Sequence, residues 1–439
     1  MTKRYSQIIR LINSYIGRIF TKRSDFFNNV LTLVSGTVIA QAIPVLISPI
    51  LTRIFTPDDF GVFGLYLSIV LVLNVIATGR YEFSILLPEK DEDALHLLIL
   101  TFLITLTITG TLFILILPFH QRFAEILKNP NISEWLIFVP ITILFMGIFQ
   151  PLILWHNRVK QYQKISKSRV LRSGTLSIFS ILIGLIGLKP GGLILGDLCG
   201  QGFGSIYLLK NAFGKLKRYF KEMNLKKIGK MAIRYQNFPK FLMISGLFEK
   251  SSAQIPILLL TNFFGGIMAG FFTLAQRVII VPTGIISGSI GEVFRQEASN
   301  LFVREGNCKS LFINTLRKLV AISFVPFLIS FFIMVDLFEV LFGSDWRIAG
   351  EFSKIMIPMF FLQFITSPLS SMFIVAEKQK IDFTIQIVLF FTVLTAFLVS
   401  NEIFPGKPHS SILLFTIIYS LKYIVELILS YHFSKGINK

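Results

Sequence analysis

The segment AGFFTLAQRVIIVPTGIISGSI, Ala269 to Ile290, is apolar enough for a membrane helix, yet Arg277 stands near its middle. A guanidinium stays charged at any ordinary pH, and holding it at a bilayer centre costs about 2.5–3.5 kcal/mol on insertion scales. Residues carrying that penalty face protein or a water-filled cavity. Arg277 lies eleven residues after Gly266. At 1.5 Å per residue that is about 16 Å into the span, too deep for its side chain to reach a surface. Two chemistries fit: a counter-charge for an anion crossing the membrane, or a structural ion pair inside a helix bundle.

The stretch LFEKSSAQIP adds Glu249 and Lys250 to another apolar run. Lys250 lies about 13 Å beyond Phe241 along a helix, again near mid-depth. Helical neighbours point about 100° apart, so the two cannot both face one partner squarely. Either Lys250 faces a cavity while Glu249 pairs elsewhere, with Arg277, or all three neutralise one another. Lys422 and Glu426 are four apart on one face and can satisfy each other. Asp197, in the glycine-rich LGDLCGQGFG, is a candidate coupling-ion residue on a helix suited to close packing.

Glutamines recur within the apolar runs at 41, 150, 201, 254, 276, 363 and 386. An amide can join helices or hydrogen-bond hydroxyl groups. Gln41, Gln254 and Gln276 are the candidates for polar cavity residues. The five histidines are scattered without HExxH, and Cys199 and Cys308 have no metal-binding spacing. No catalytic residue, metal or cofactor is expected.

These residues need membrane helices to position them. The chain of 439 residues is 53% hydrophobic and contains 46 phenylalanines, with a mean hydropathy of +0.70. Such composition, in runs of about 20 residues, indicates a polytopic α-helical membrane protein. Twelve spans are expected, roughly 29–52, 60–78, 95–118, 135–156, 170–188, 191–209, 241–263, 266–288, 313–335, 351–375, 383–400 and 410–431. KPGG separates the fifth from the sixth, and FFGG the seventh from the eighth. Pro44, Pro49, Pro256, Pro282 and Pro358 fall inside spans as hinges or static kinks.

The formal net charge of +19 admits nucleic acid as a partner. An even span count, however, puts both termini and the richest basic segments on one side, including the ten lysines and arginines of 210–240. The positive-inside rule makes that side cytoplasmic and explains the charge without nucleic acid. Residues 1–28 carry Ile8, Ile12, Tyr15, Ile16 and Ile19 at helical spacing among basic residues, as in a cytoplasmic amphipathic helix. The expected organisation is that helix, a six-helix lobe over 29–209, a basic cytoplasmic linker over 210–240, and a second six-helix lobe over 241–439.

The two halves echo one another. GTVIAQAIPVLISPILTRIFTPDDFGVFGLY and GLFEKSSAQIPILLLTNFFGGIMAGFFTLA both run Gly, then Gln before Pro, then Gly-x-Phe at the next span, Gly61 and Phe63 against Gly270 and Phe272. Six-helix copies share one orientation, as in transporters that rock around a central site. No external loop exceeds about 20 residues, too short for a folded catalytic module.

ATGRYEFSILLPEKDEDAL (77–95), GIMAGFFTLAQRVIIVPTGIISGSIGEVFRQEAS (266–299) and TRIFTPDDFGVFGLY resemble segments of Wzx-type bacterial polysaccharide flippases. These belong to the multidrug/oligosaccharidyl-lipid/polysaccharide exporter superfamily. The resemblance covers most of the chain in layout, and about a quarter in specific motifs. It implies all-α architecture, twelve helices in two lobes around a V-shaped cavity, in the bacterial inner membrane. It implies as substrate an oligosaccharide on undecaprenyl pyrophosphate, moved from the cytoplasmic to the periplasmic leaflet, with membrane lipid and polymerase and chain-length proteins as partners. Arg277 sits where that family often places an arginine, and Lys250 is added from its depth. Arg80 and Glu82 match the family's Arg-Tyr-Glu segment as a gate or ion pair. The alternatives are an ion-coupled multidrug exporter of the same superfamily and a membrane-embedded glycan enzyme.

Overall fold

The structure, a computed structural model, describes residues 35–220 and 224–436, and among these there is helix but no strand. The expected amphipathic helix over 1–28 lies outside the described residues. The helices are α1 (Ser35–Ile54), α2 (Pro57–Ala77), α3 (Asp91–Ile126), α4 (Val139–Arg158), α5 (Tyr162–Leu185), α6 (Gly191–Phe220) and α7 (Leu225–Arg234). Then follow α8 (Met243–Phe264), α9 (Gly266–Glu305), α10 (Lys309–Phe342), α11 (Arg347–Leu369), α12 (Gln379–Ile403) and α13 (Pro408–Ser434). Ten helices among the described residues are long and apolar enough to cross a membrane. The expected seventh and eighth spans fall on α8 and α9, outside that set. Glu249, Lys250 and Gln254 dilute the hydropathy of α8, and the shorter apolar stretch of α9 is Gly266–Ile280.

Local chemistry sets the helix ends. In TPDDF, the Thr56 hydroxyl accepts the Asp59 N–H at 3.3 Å while the Asp59 carboxylate accepts the Thr56 N–H at 2.8 Å. Pro57 occupies the first turn of α2, where its missing N–H is harmless. Gly265, at φ +88°, is the single residue between α8 and α9. The Gly is needed because this backbone angle is unfavourable for other side chains. α1 is interrupted at Ile47, between Pro44 and Pro49, since Pro49 has no N–H to continue the ladder.

Helix packing divides into two groups. α5 packs on α6, with α4 against α6 and α3; α11 packs on α10, α9 and α13, and α12 on α8 and α13. α2 joins the groups by lying along α8 and α9. The echo in sequence explains how. A Cβ on Gly61 would lie 1.9 Å from the Gly266 carbonyl oxygen, and one on Gly270 1.8 Å from that of Pro57. Gly61 answers to Gly270 and Pro57 to Gly266 at one constant offset in sequence, so these contacts are copies of each other across a local two-fold. Gly64 faces Thr273, its own counterpart under that offset, at a would-be Cβ distance of 2.1 Å. Two like surfaces meeting in this way form an isologous contact, here within one chain. Around it the rings of Phe60 and Phe271 meet Trp346 edge-on at 5.0 and 5.9 Å.

The boundary expected at 209/210 falls inside α6, which continues to Phe220. The linker is therefore largely helical, because its lysines alternate with apolar residues at helical spacing. α7 packs on α3, buries Ile228 and leaves Lys226, Lys227 and Lys230 exposed.

Candidate functional site

Two polar cavities lie among the helices. The first, about 660 Å³, is walled by α1, α4, α5 and the second half of α9. α5 contributes Arg169, Arg172, Ser173 and Leu176, a spacing that puts all four on one helical face. Arg169 donates to the Thr37 hydroxyl of α1, and the Arg172 guanidinium lies over the Phe149 ring, 5.4 Å from its centroid. Gln41, Gln150 and Asn157 add amides, and Glu292 is the carboxylate on this wall. The cations exceed the anions, so the cavity suits a ligand with negative charge.

Arg277 stands just behind this wall. Its Nη2 donates to the Pro44 carbonyl oxygen at 3.1 Å, and Pro44 lines the cavity. Asp197, only 5% exposed, lies within electrostatic reach of both Arg277 and Arg172. Among the described residues its Oδ2 has no hydrogen-bond partner, and neither does Oε1 of the buried Gln201. The pairing of Glu249 with Arg277 that the sequence allowed is not what the structure shows. Arg277 crosses to α1 and α6, because α9 leaves α8 at Gly265 and packs along α2 instead. One carboxylate thus acts electrostatically on guanidiniums from two helices, which eases their burial without cancelling both charges.

The second cavity, about 550 Å³, lies among α8, α9, α11, α12 and α13. Lys250 and Glu249 are there together, their side chains paired at 3.2 Å. Adjacent positions on a helix meet in this way because both side chains are long enough to bend toward one another. Lys250 is therefore a compensated charge rather than a bare one. The Lys422–Glu426 pair, at 2.8 Å, is on the same cavity wall. Of the glutamines, Gln276, Gln363 and Gln386 line this cavity, Gln41 and Gln150 the first, and Gln254 is half-buried outside both lining sets. Among the described residues no group of three or more His, Cys, Asp or Glu side chains is placed to hold a metal ion.

Arg80 and Glu82 lie away from both cavities, in the turn between α2 and α3. They form an ion pair at 3.8 Å, with Glu82 also accepting from the Thr78 hydroxyl at 2.5 Å. Arg80 has φ +60° and packs its guanidinium against Gly246 of α8, where a Cβ would lie 2.6 Å from Nη2. The Tyr81 hydroxyl donates to the Ala232 carbonyl of α7 at 2.9 Å. This turn clasps the first helix group to the linker and to the second group. Burial pushes the Glu82 carboxyl above its ordinary value, opposed by the Thr78 hydrogen bond and by Arg80. A carboxyl raised on folding favours the folded state in acid and loses that contribution as pH rises through its folded value. Arg80→Ala should therefore destabilise the protein by about 2 kcal/mol at neutral pH, below the range for a fully buried pair because Arg80 is partly exposed. The loss should shrink in acid, where Glu82 is protonated, and a difference in thermal midpoint between wild type and variant across pH measures it.

Sequence reading missed Arg169 and Arg172. Neither is among the candidate cavity residues, because both lie at the edge of the fifth expected span, 170–188. The signal was present as the spacing 169, 172, 173, 176. It was outweighed because a cation at a helix end ordinarily faces solvent.

Long apolar helices around two charged cavities define a multi-pass membrane protein. In solved structures the fold matches a multidrug resistance MATE family transporter of the MOP superfamily in an inward-facing conformation, with TM-score 0.61 and 14% identity over 92% of this chain and 93% of that one. An outward-facing structure of such a transporter gives TM-score 0.62 and 13% identity, covering 92% and 94%. The lipid II flippase MurJ, inward closed, gives 0.54 and 13%, covering 94% and 87%. These similarities establish the fold. The family described as "Polysaccharide biosynthesis protein" matches residues 50–350, and the chain belongs to it. It is also 21% identical over 307 residues to the succinoglycan biosynthesis transport protein ExoT of Rhizobium meliloti (strain 1021), a match spanning 69% of this chain and 59% of that relative.

Proposed function

We propose that the protein is a flippase that moves an oligosaccharide repeat unit on undecaprenyl pyrophosphate from the cytoplasmic to the periplasmic leaflet of the inner membrane. The observation that carries this reading is the pair of guanidiniums, Arg169 and Arg172, with amides around them in a cavity between membrane helices. A pyrophosphate brings about two negative charges and the glycan many hydroxyls, and neither can cross hydrocarbon unsolvated. Guanidiniums replace phosphate hydration with charge-assisted hydrogen bonds while the prenyl tail stays in lipid. On this reading all twelve helices cross the membrane, both termini are cytoplasmic, and the helix groups act as two six-helix lobes. The lobes rock about the glycine contacts of α2 and α9 to give alternating access. Arg277 and Asp197 position the anion site, and a polymerase and chain-length proteins receive the product.

Deletion of the gene should cause a complete undecaprenyl-pyrophosphate repeat unit to accumulate on the cytoplasmic leaflet, measured in extracted lipids and relieved by the wild-type gene. A strain that makes the precursor yet shows no accumulation would sink the proposal. A second reading, a cation exporter, draws on the carboxylates Glu249, Asp382 and Glu426 of the other cavity. It would require the deletion strain to become hypersensitive to cationic drugs. The lysines paired with Glu249 and Glu426 weigh against it.

A further inference from the structure

The second cavity has a different chemistry from the first. Three carboxylates, Glu249, Asp382 and Glu426, stand on its wall with three cations, Lys250, Lys422 and Arg295. Two of the carboxylates already hold lysines, at 3.2 Å (Glu249 with Lys250) and 2.8 Å (Glu426 with Lys422). Asp382 accepts from the Gln386 amide at 3.3 Å and lies within electrostatic reach of Lys422. An ion entering here would have to displace a partner already in place. An uncharged ligand rich in hydroxyls need not. A paired carboxylate keeps free lone pairs, a paired ammonium keeps free N–H donors, and a sugar hydroxyl both donates and accepts. The amides of Gln276 and Gln363 extend that surface, and the rings of Tyr419 and Tyr423, 6.1 Å apart, supply aromatic wall.

α9 is common to both cavities. Gly284, Gly288 and Glu292 line the first, while Gln276, Ile280 and Arg295 line the second. One molecule with a charged part and a neutral part can therefore occupy both across a single helix.

We propose that the second cavity is a sugar-binding compartment, receiving the uncharged part of a glycan whose pyrophosphate lies at Arg169 and Arg172. This rests on the flippase reading and assigns the two parts of that substrate to different places.

The test is photo-crosslinking in cells whose lipid-linked repeat unit is labelled with tritiated sugar and with ³²P-phosphate. A photoreactive phenylalanine analogue is placed at Gln363 in one strain and at Gln150 in another. Mild acid then cleaves the bond between the first sugar and the pyrophosphate. The adduct at Gln363 should keep the sugar label and lose the phosphate label, and the adduct at Gln150, formed on the isoprene unit beside the pyrophosphate, should lose the sugar label. A Gln363 adduct that retains phosphate overturns the assignment. Crosslinking at Gln150 with none at Gln363 overturns it too, while leaving the flippase reading standing. Absence of a lipid-linked adduct at both positions removes that reading, and this one with it.

Discussion

Arg277→Gln is expected to reduce export of the glycan sharply while normal amounts of folded protein remain in the membrane. The side chain donates to the Pro44 carbonyl and shares Asp197 with Arg172 at the edge of the cationic cavity. Glutamine keeps a donor and removes the charge. A hydrogen bond to a charged group contributes about 1.5–3 kcal/mol, so the variant should lose roughly 10- to 100-fold in transport of an anionic substrate. The measurement is the amount of precursor left on the cytoplasmic leaflet, scaled to the protein present. Asp197→Asn in the same chain separates positional from structural roles. If Arg277 only neutralises Asp197, removing both charges restores export. If Arg277 sets the cationic character of the cavity, the double variant stays inactive. Loss of folded protein in Arg277→Gln alone would place the residue among structural charges and end its assignment to the anion site.

Gly270→Ala should destabilise the molecule more than any other single methyl addition described here. The new Cβ would lie 1.8 Å from the Pro57 carbonyl oxygen and 2.9 Å from the Gly61 nitrogen, all backbone. Backbone in the middle of a helix cannot rotate away as a side chain can, so α2 and α9 must separate. Overpacking of this kind costs about 1–3 kcal/mol or more. Thermal unfolding of the purified protein should show a lowered midpoint, and other side-chain changes should not restore it. Gly64→Ala gives the informative contrast. Its nearest obstacle is the Thr273 hydroxyl, so Thr273→Ala should recover most of the loss. Gly174→Ala, with nothing among the described residues within 4 Å of its Cβ, should be neutral or gain up to about 1 kcal/mol from helix propensity. Equal behaviour of Gly270→Ala and Gly174→Ala would remove the basis for the glycine-packed junction.

The all-helical membrane architecture was legible in the amino-acid order, because apolar runs of bilayer length are set by local composition and leave few alternatives. FFGG marked the turn at Gly265 for the same local reason, while the cap at Thr56 starts α2 three residues before the span expected at 60–78. The internal echo pointed to Gly61 and Gly270 but not to what they touch. The contact depends on two helices far apart in sequence lying side by side, which only the packed chain arranges.

Charge followed the same divide. Sequence marked Arg277, Glu249, Lys250 and Asp197 as residues with a desolvation penalty to offset, since that penalty depends on depth in a span. It did not choose their partners. Glu249 met Lys250, Arg277 met Pro44 and the neighbourhood of Asp197, and Arg169 and Arg172 turned inward to a cavity instead of outward to solvent. Sequence by itself determined which segments are apolar enough to cross a membrane, because transfer from water is a property of each segment. Tertiary structure alone decided which charges share a cavity, because electrostatic pairing falls off within a few ångströms and the distances between helices are fixed only by packing.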